Sequence, residues 1–303
     1  MTMPHDYHDP VLLHDCIEGL DLRPDGVYVD VTFGGGGHSR AILERLGARG
    51  RLIAFDRDAD ARANAPDDER FTLVPADYRW LRNYLGYLYA LPINGLLADL
   101  GVSSHQFDSA ARGFSFRFEG PLDMRMDRRA ERTAAKLLAA IEEGDLARLL
   151  SRYGEVTNAH RVARQLVRER RTKAIHTTQD LVEALEPITP KRDGAGFLAQ
   201  VFQALRIAVN DELGSLEELL RQSAEVIAPG GRLVVIAYHS LEDRLVKRWM
   251  RTGDLDGVEH KDLRGNRQRP FDPTHARAIR PTEEEIERNP RARSARLRIA
   301  TRT

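Results

Sequence analysis

An aspartate at the end of an apolar run, followed at once by a string of glycines, is an arrangement that can hold a nucleoside cofactor. The chain carries one at Val29-Asp30-Val31-Thr32-Phe33-Gly34-Gly35-Gly36-Gly37-His38-Ser39. Glycine has no Cβ to keep a ligand from the backbone and enters left-handed dihedrals freely, so such a turn admits close approach. Twenty residues after Gly36 a second apolar run ends in Asp56, where a carboxylate can accept hydrogen bonds from both ribose hydroxyls of an adenosine. NAD, FAD and S-adenosylmethionine sites all use glycine-rich turns, so the turn alone does not choose among them. The cluster lacks regular G-x-G-x-x-G spacing and has Asp30 at the strand end, where methyltransferases often hold the methionyl end of their cofactor. That favours S-adenosylmethionine.

Other reactive residue types have plainer readings. Tyr238-His239-Ser240-Leu241-Glu242-Asp243 contains the members of a hydrolase triad, but it ends an apolar run and opens a helical one, where Ser240 with Asp243 makes an N-cap pattern. Cys16, the only cysteine, lies among Leu12, Leu13 and Ile17 and reads as a core residue, so no disulfide and no cysteine-rich zinc site can form within the chain. His5, His8 and His14 offer ligand chemistry without a fourth partner at a recognised spacing, and no metal site is expected.

The elements that must position these residues follow a βαβ rhythm in the first third, with apolar runs at Val27–Val31, Leu52–Phe55, Phe71–Val74 and Ile93–Leu97. From Phe107 to Arg206 strand signals vanish. Helical patterns such as TAAKLLAAIEEGDLARLLSRYGE, NAHRVARQLVRER and TTQDLVEALEPI replace them, the last opened by a Thr177/Asp180 capping box. A long helix ending near Ile227 then leads through Ala228-Pro229-Gly230-Gly231 into the apolar strand Arg232–Ala237. Thr252–Pro273 is polar and reads as a mobile loop, and Arg296–Ala300 alternates as an edge strand does. The expectation is an α/β, Rossmann-like sheet in two parts, residues 1–106 and 208–303, with an all-helical insertion at 107–207.

Net charge is zero but unevenly spread: residues 1–106 hold 16 acidic and 10 basic side chains, whereas Arg128–Lys173 hold 12 basic and 6 acidic ones. Arg161, Arg164, Arg168 and Arg171 recur at helical spacing opposite Val162 and Leu166, a basic stripe able to track a phosphate backbone. Phe114, Phe116 and Phe118 alternate nearby, either as a stacking surface for a flipped base or as core. No targeting segment or membrane span is read, and a cytoplasmic location is expected.

Taken in order, a series of motifs resembles the MraW/RsmH family across nearly the whole chain. They are His8-Asp-Pro-Val-Leu-Leu13, Asp30–Ser39, Ala54-Phe-Asp-Arg-Asp58, Asp99-Leu-Gly-Val-Ser-Ser104, Arg112-Gly-Phe-Ser-Phe116, Gly120-Pro-Leu-Asp-Met-Arg-Met-Asp127, Tyr238–Asp243 and Asn289-Pro-Arg-Ala-Arg-Ser294. The resemblance implies S-adenosylmethionine-dependent methylation of a cytidine N4 in the decoding region of small-subunit (16S) ribosomal RNA, within the small ribosomal subunit, by a monomer or homodimer. By motif position it implies cofactor contacts from Asp30, Gly36, Gly37, His38, Asp56, Tyr78, Asp99 and Gln106. His105 departs from the pattern, where the family is expected to carry proline. A cytosine amine is a poor nucleophile because its lone pair is delocalised into the ring, so its N–H groups need acceptors and in-line aim. Asp99, Ser103 and Ser104 are the candidates for that task, with His239 and Ser240 positioning the base. Two competing readings make different predictions: a nicotinamide-dependent oxidoreductase binds dinucleotide, and a non-catalytic ribosome-binding protein binds RNA without transferring a methyl group.

Overall fold

The computed structural model describes residues 10–303; His5 and His8, with the start of the first family motif, lie outside the described residues. Two compact units are present: one comprises the chain up to Gly101 together with Leu213–Thr303, the other Val102–Glu212. The divisions fall at Gly101 and Glu212, a few residues away from those drawn on the sequence. At the first, the capped helix that follows the fourth strand already packs with the helical unit.

In the first unit the chain runs α1 (Leu13–Leu20), β1 (Val27–Asp30), α2 (Gly37–Arg45), β2 (Arg51–Phe55), β3 (Phe71–Val74), α3 (Leu81–Tyr87) and β4 (Ile93–Asp99). The helical unit follows as α4 (Ser104–Asp108), α5 (Ala134–Ala140), α6 (Glu143–Gly154), α7 (Ala159–Glu169), α8 (Thr178–Leu185) and α9 (Gly194–Asn210). The first unit then resumes with α10 (Glu212–Val226), β5 (Ile227–Ala237), α11 (Ser240–Thr252), β6 (Phe271–Pro273), α12 (Glu283–Arg288) and β7 (Arg296–Arg302).

The seven strands lie in the order β3-β2-β1-β4-β5-β7-β6. The first five pair in parallel, and β7 runs antiparallel between β5 and β6. Strands covered on both faces are apolar at nearly every position rather than alternately. Here Val29, Ile53, Leu96 and Val235 enter one buried cluster, while Tyr28, Leu52, Leu97 and Val234 enter the other with Cys16, Ile17 and Leu20 of α1. Cys16 is wholly buried, and burial together with nearby carboxylates pushes its thiol well above the ordinary range. The chain steps outward from β1 to β3, then returns to lay β4 on the other side of β1. The crevice at the carboxyl ends of β1 and β4 is therefore the switch point where open α/β sheets bind ligands.

Three expectations are corrected. Arg296–Ala300 is not an edge: β7 has a partner on each side, and the edge is β6, inside the stretch read as a mobile loop. A strand three residues long with one buried side chain, Phe271, leaves no alternation to detect. The pattern TAAKLLAAIEEGDLARLLSRYGE forms two helices, because Ile141 and Glu142 are extended and turn the chain between α5 and α6. The capping box at Thr177 and Asp180 forms as expected. Among the described residues no helix is long and apolar enough to cross a membrane.

Candidate active site at the strand ends

The glycine turn leaves β1 and enters α2 through Gly36, whose φ of +75° is strained for any residue with a side chain. A Cβ on Gly37 would stand 2.2 Å from Cγ of Pro10, so this position too admits only glycine. The turn is fastened from several sides. Asp30 accepts from the Thr32 N–H at 3.0 Å through Oδ1 and from the Ser39 hydroxyl at 2.7 Å through Oδ2. Asn64 donates to the Gly34 carbonyl and Arg40 to the Gly35 carbonyl. Asp30 is 1% exposed, and burial raises its carboxyl above the ordinary value although His38, Ser39 and Thr32 oppose the shift. Its oxygens hold the frame of the turn.

Asp56 follows β2. Its Oδ2 accepts from the Gly34 N–H and its Oδ1 from the Asp58 N–H, both at 2.8 Å. These bonds fix the plane of the carboxylate while each oxygen retains a further lone pair. Burial outweighs them and raises the carboxyl to about 6.

Asp99 ends β4. The Tyr238 hydroxyl donates to its Oδ1 at 2.8 Å, its own N–H donates to the Thr32 hydroxyl at 2.6 Å, and His38 Nδ1 stands 3.8 Å from its Oδ2. His38 Nε2 meets the Val11 carbonyl at 3.1 Å. A carbonyl only accepts, so that nitrogen carries the proton and the ring turns Nδ1 toward Asp99. Burial raises the Asp99 carboxyl, opposed by His38 and Tyr238 and reinforced by Asp30. Its side chain nevertheless keeps 24% of its surface, against 7% for His38. Asp99, like Asp56 and unlike Asp30 and His38, is therefore only partly buried and open to a ligand. Burial and the charge of Asp99 hold the Tyr238 phenol well above its ordinary value, so it stays a donor. Tyr238 and Thr32 were missed as site residues in the sequence. Their only signal was membership of the motifs that carry the family resemblance.

A sequence profile of the MraW methylase family matches residues 5–303. The chain belongs to the MraW methylase family. A protein of Parabacteroides distasonis is 55% identical over 97% of this chain and 97% of its own. Another, from Amoebophilus asiaticus, is 52% identical over 98% of this chain and 96% of its own. Both are named ribosomal RNA small subunit methyltransferase H. A solved rRNA methylase from Streptococcus thermophilus superposes with a TM-score of 0.43 at 12% identity, over 95% of this chain and 93% of that one, too distant a likeness to build on.

The methyl donor of this MraW-family chain is S-adenosylmethionine, and the residues present fit it: a turn that only glycines can make, a fixed carboxylate at the end of β2 for ribose hydroxyls, and a reachable acceptor at the end of β4. Tyr78 opens a short 3-10 turn after β3 and packs half-buried against the sheet core. In the helical unit, Ser103 and Gln106 cap α4 reciprocally: the Ser103 hydroxyl accepts from the Gln106 N–H and the Gln106 amide oxygen accepts from the Ser103 N–H. The cap gives both a structural task that their sequence positions do not announce; Ser104 is the first residue of that helix.

At α11 the expected Ser240/Asp243 cap does not form. The N-cap residue is His239, without a side-chain cap bond, and Asp243 reaches β7 instead, accepting from Arg298 at 2.7 Å and Arg296 at 3.0 Å. Two guanidinium groups on the neighbouring strand outbid a single backbone N–H. Of the three alternating phenylalanines, Phe114 is buried in the helical core and Phe116 packs edge-on against Phe202 at 5.6 Å. Only Phe118, 42% exposed, is open to stacking. Arg161, Arg164, Arg168 and Arg171 are all exposed, with Val162 and Leu166 buried on the opposite side. Arg171 lies just beyond the end of α7.

Proposed function

We propose that this chain transfers the methyl group of S-adenosylmethionine to the N4 amino group of a cytidine in the decoding region of small-subunit (16S) ribosomal RNA. The observation that carries the reading is the reachable carboxylate of Asp99 at the sheet's switch point, tethered by Tyr238 and faced by His38. The names of relatives more than half identical in sequence support the RNA substrate.

When bound, S-adenosylmethionine supplies a methyl group on a cationic sulfur, an electrophile that needs no metal to activate it. In the proposal the turn at Gly36, Gly37 and His38 lies against its amino-acid end, Asp56 accepts from the ribose and Tyr78 borders the adenine. Asp30 acts through the turn as a positioning residue. Asp99 accepts an N–H of the cytosine amine through Oδ2, the oxygen not engaged by Tyr238, and so aims the nitrogen lone pair. Attack makes that nitrogen cationic and strongly acidic. Its proton leaves toward Asp99, whose raised affinity for protons suits it to receive one. His239 and Ser240 border the base, and the α7 arginines meet the phosphate backbone. Residues 102–212 form the substrate-recognition unit.

The test is mass spectrometry of nucleosides from unmodified small ribosomal subunits, and from free 16S RNA, after incubation with the protein and S-adenosylmethionine. N4-methylcytidine is expected. A different methylated nucleoside, or none despite confirmed binding of S-adenosylhomocysteine, would overturn the reading.

A further inference from the structure

A second polar cavity in the first unit shares a wall with the Asp99 site. It has a volume of about 100 Å³ and opens at the start of α11, lined by Tyr238, His239, Ser240, Arg280, Arg293 and Arg296. Tyr238 is the shared wall, since its hydroxyl bonds Asp99.

The charge balance of this cavity is uneven. Arg296 is neutralised by Asp243 at 3.0 Å. Asp243 is itself shared with Arg298, whose bond, with that from Arg296, overcomes burial and keeps the carboxylate ionised. Arg280 and Arg293 are exposed, and among the described residues neither makes an ion pair or side-chain hydrogen bond. Two uncompensated guanidinium groups on one small cavity attract an anion. Two further features bear on the site. The thirteen-residue helix α11 begins there without a side-chain cap, with Glu242 and Asp243 in its first turn. The His239 ring is 10% exposed, and both its nitrogens are buried without an aligned hydrogen bond, the nearest acceptor being Glu242 Oε1 at 3.1 Å.

We propose that this cavity binds a phosphodiester group of the RNA strand, one flanking the cytidine presented to Asp99. The assignment rests on the proposed function and deepens it. The half-buried floor of Tyr238, His239 and Ser240 and the exposed rim of Arg280 and Arg293 suit a phosphate that arrives on a polymer and leaves with it. Tyr238 then touches both the phosphate site and the acceptor carboxylate, so seating the backbone and aiming the base become one event.

The test compares the full-length protein with the double variant Arg280→Gln/Arg293→Gln, measuring binding of a short single-stranded RNA containing the cytidine across a salt series. Loss of the site should weaken binding about tenfold and reduce the slope of log affinity against log salt by about 0.7 for one phosphate. Affinity for S-adenosylhomocysteine should be unchanged, and Arg280→Lys/Arg293→Lys should retain most of the slope. A neutral methylphosphonate linkage beside the cytidine should weaken binding to the natural protein and have no further effect on the glutamine variant. A natural slope in the glutamine variant, or no salt-dependent RNA binding by the natural protein, overturns the proposal. So does competition by inorganic phosphate combined with indifference to the methylphosphonate, which marks a free-anion site. Binding that follows the prediction while no N4-methylcytidine forms removes the proposed reaction and leaves the phosphate site standing.

Discussion

The strand-end aspartates and the α7 arginines are both rows of charged groups set by one kind of element, yet they are built to opposite specifications. Asp30, Asp56 and Asp99 each accept bonds that fix the carboxylate plane, at 2.7 to 3.0 Å, and burial raises all three. The arginines stand in solvent: Arg164 and Arg168 each keep well over half of their side-chain surface and make only loose or neighbouring ion pairs. The carboxyl ends of strands specify individual atoms, whereas an exposed helix face specifies a density of charge. The first should respond to a single-atom change at constant shape. The second should respond only to the number of charges removed.

The sharpest way to break this contrast is Asp99→Asn, which keeps shape and burial but removes the proton acceptor. Turnover should fall about 10²- to 10³-fold while S-adenosylhomocysteine binding, followed by calorimetry, changes little. Turnover at the natural rate would remove Asp99 from the chemistry.

Next in size is Tyr238→Phe, which deletes a hydrogen bond to that carboxylate, worth about tenfold in turnover. The bond stabilises the ionised form, so its loss should also move the acidic limb of the pH–rate profile upward. A tenfold loss with an unmoved profile would mean that the tyrosine only packs.

At Asp56 the same contrast shows as a pH dependence. Its value of about 6 lies above the ordinary 3.8, so protonation favours the folded, unliganded protein. The group's contribution to stability is fully present below about 4 and is lost as pH rises through about 6. Binding of an adenosine ribose to the ionised carboxylate runs the other way, weakening by up to about tenfold per pH unit below 6. Asp56→Asn should abolish that slope, and a slope surviving in the variant would assign it to another group.

The smallest effect is expected on the helix. Any single arginine among Arg161, Arg164 and Arg168 changed to glutamine should alter RNA affinity by only about two- to threefold. The triple change should lower the salt slope by about 0.7 for each phosphate that the helix no longer engages. A single replacement as costly as the triple one would show that the stripe, too, places individual atoms.

The two regions also differ in how legible they were. The glycine turn and Asp56 could be read because apolar runs ending in an acid are short-range patterns, and the arginine stripe because helical spacing is local too; Asp99 came only with the family resemblance. What escaped depended on distant pairing. Tyr238 reaches Asp99 across 139 residues, and Asp243 abandons its own helix for Arg296 and Arg298 on a strand more than 50 residues away. Nor could the position of Asp30 in sequence show that Ser39 and Thr32 bond its oxygens. The order β5-β7-β6 was illegible for the same reason: β6 exists only because β7 lies beside it.

The buried thiol of Cys16 has a practical consequence for separating these regions. It is the chain's only cysteine, fully enclosed in the α1 side of the sheet core and with its reactive thiolate disfavoured. A thiol reagent therefore acts as a timer on the opening of one unit alone. Loosening confined to the helical insertion leaves the timer silent, while any lesion that opens the sheet starts it, with no label added to the protein.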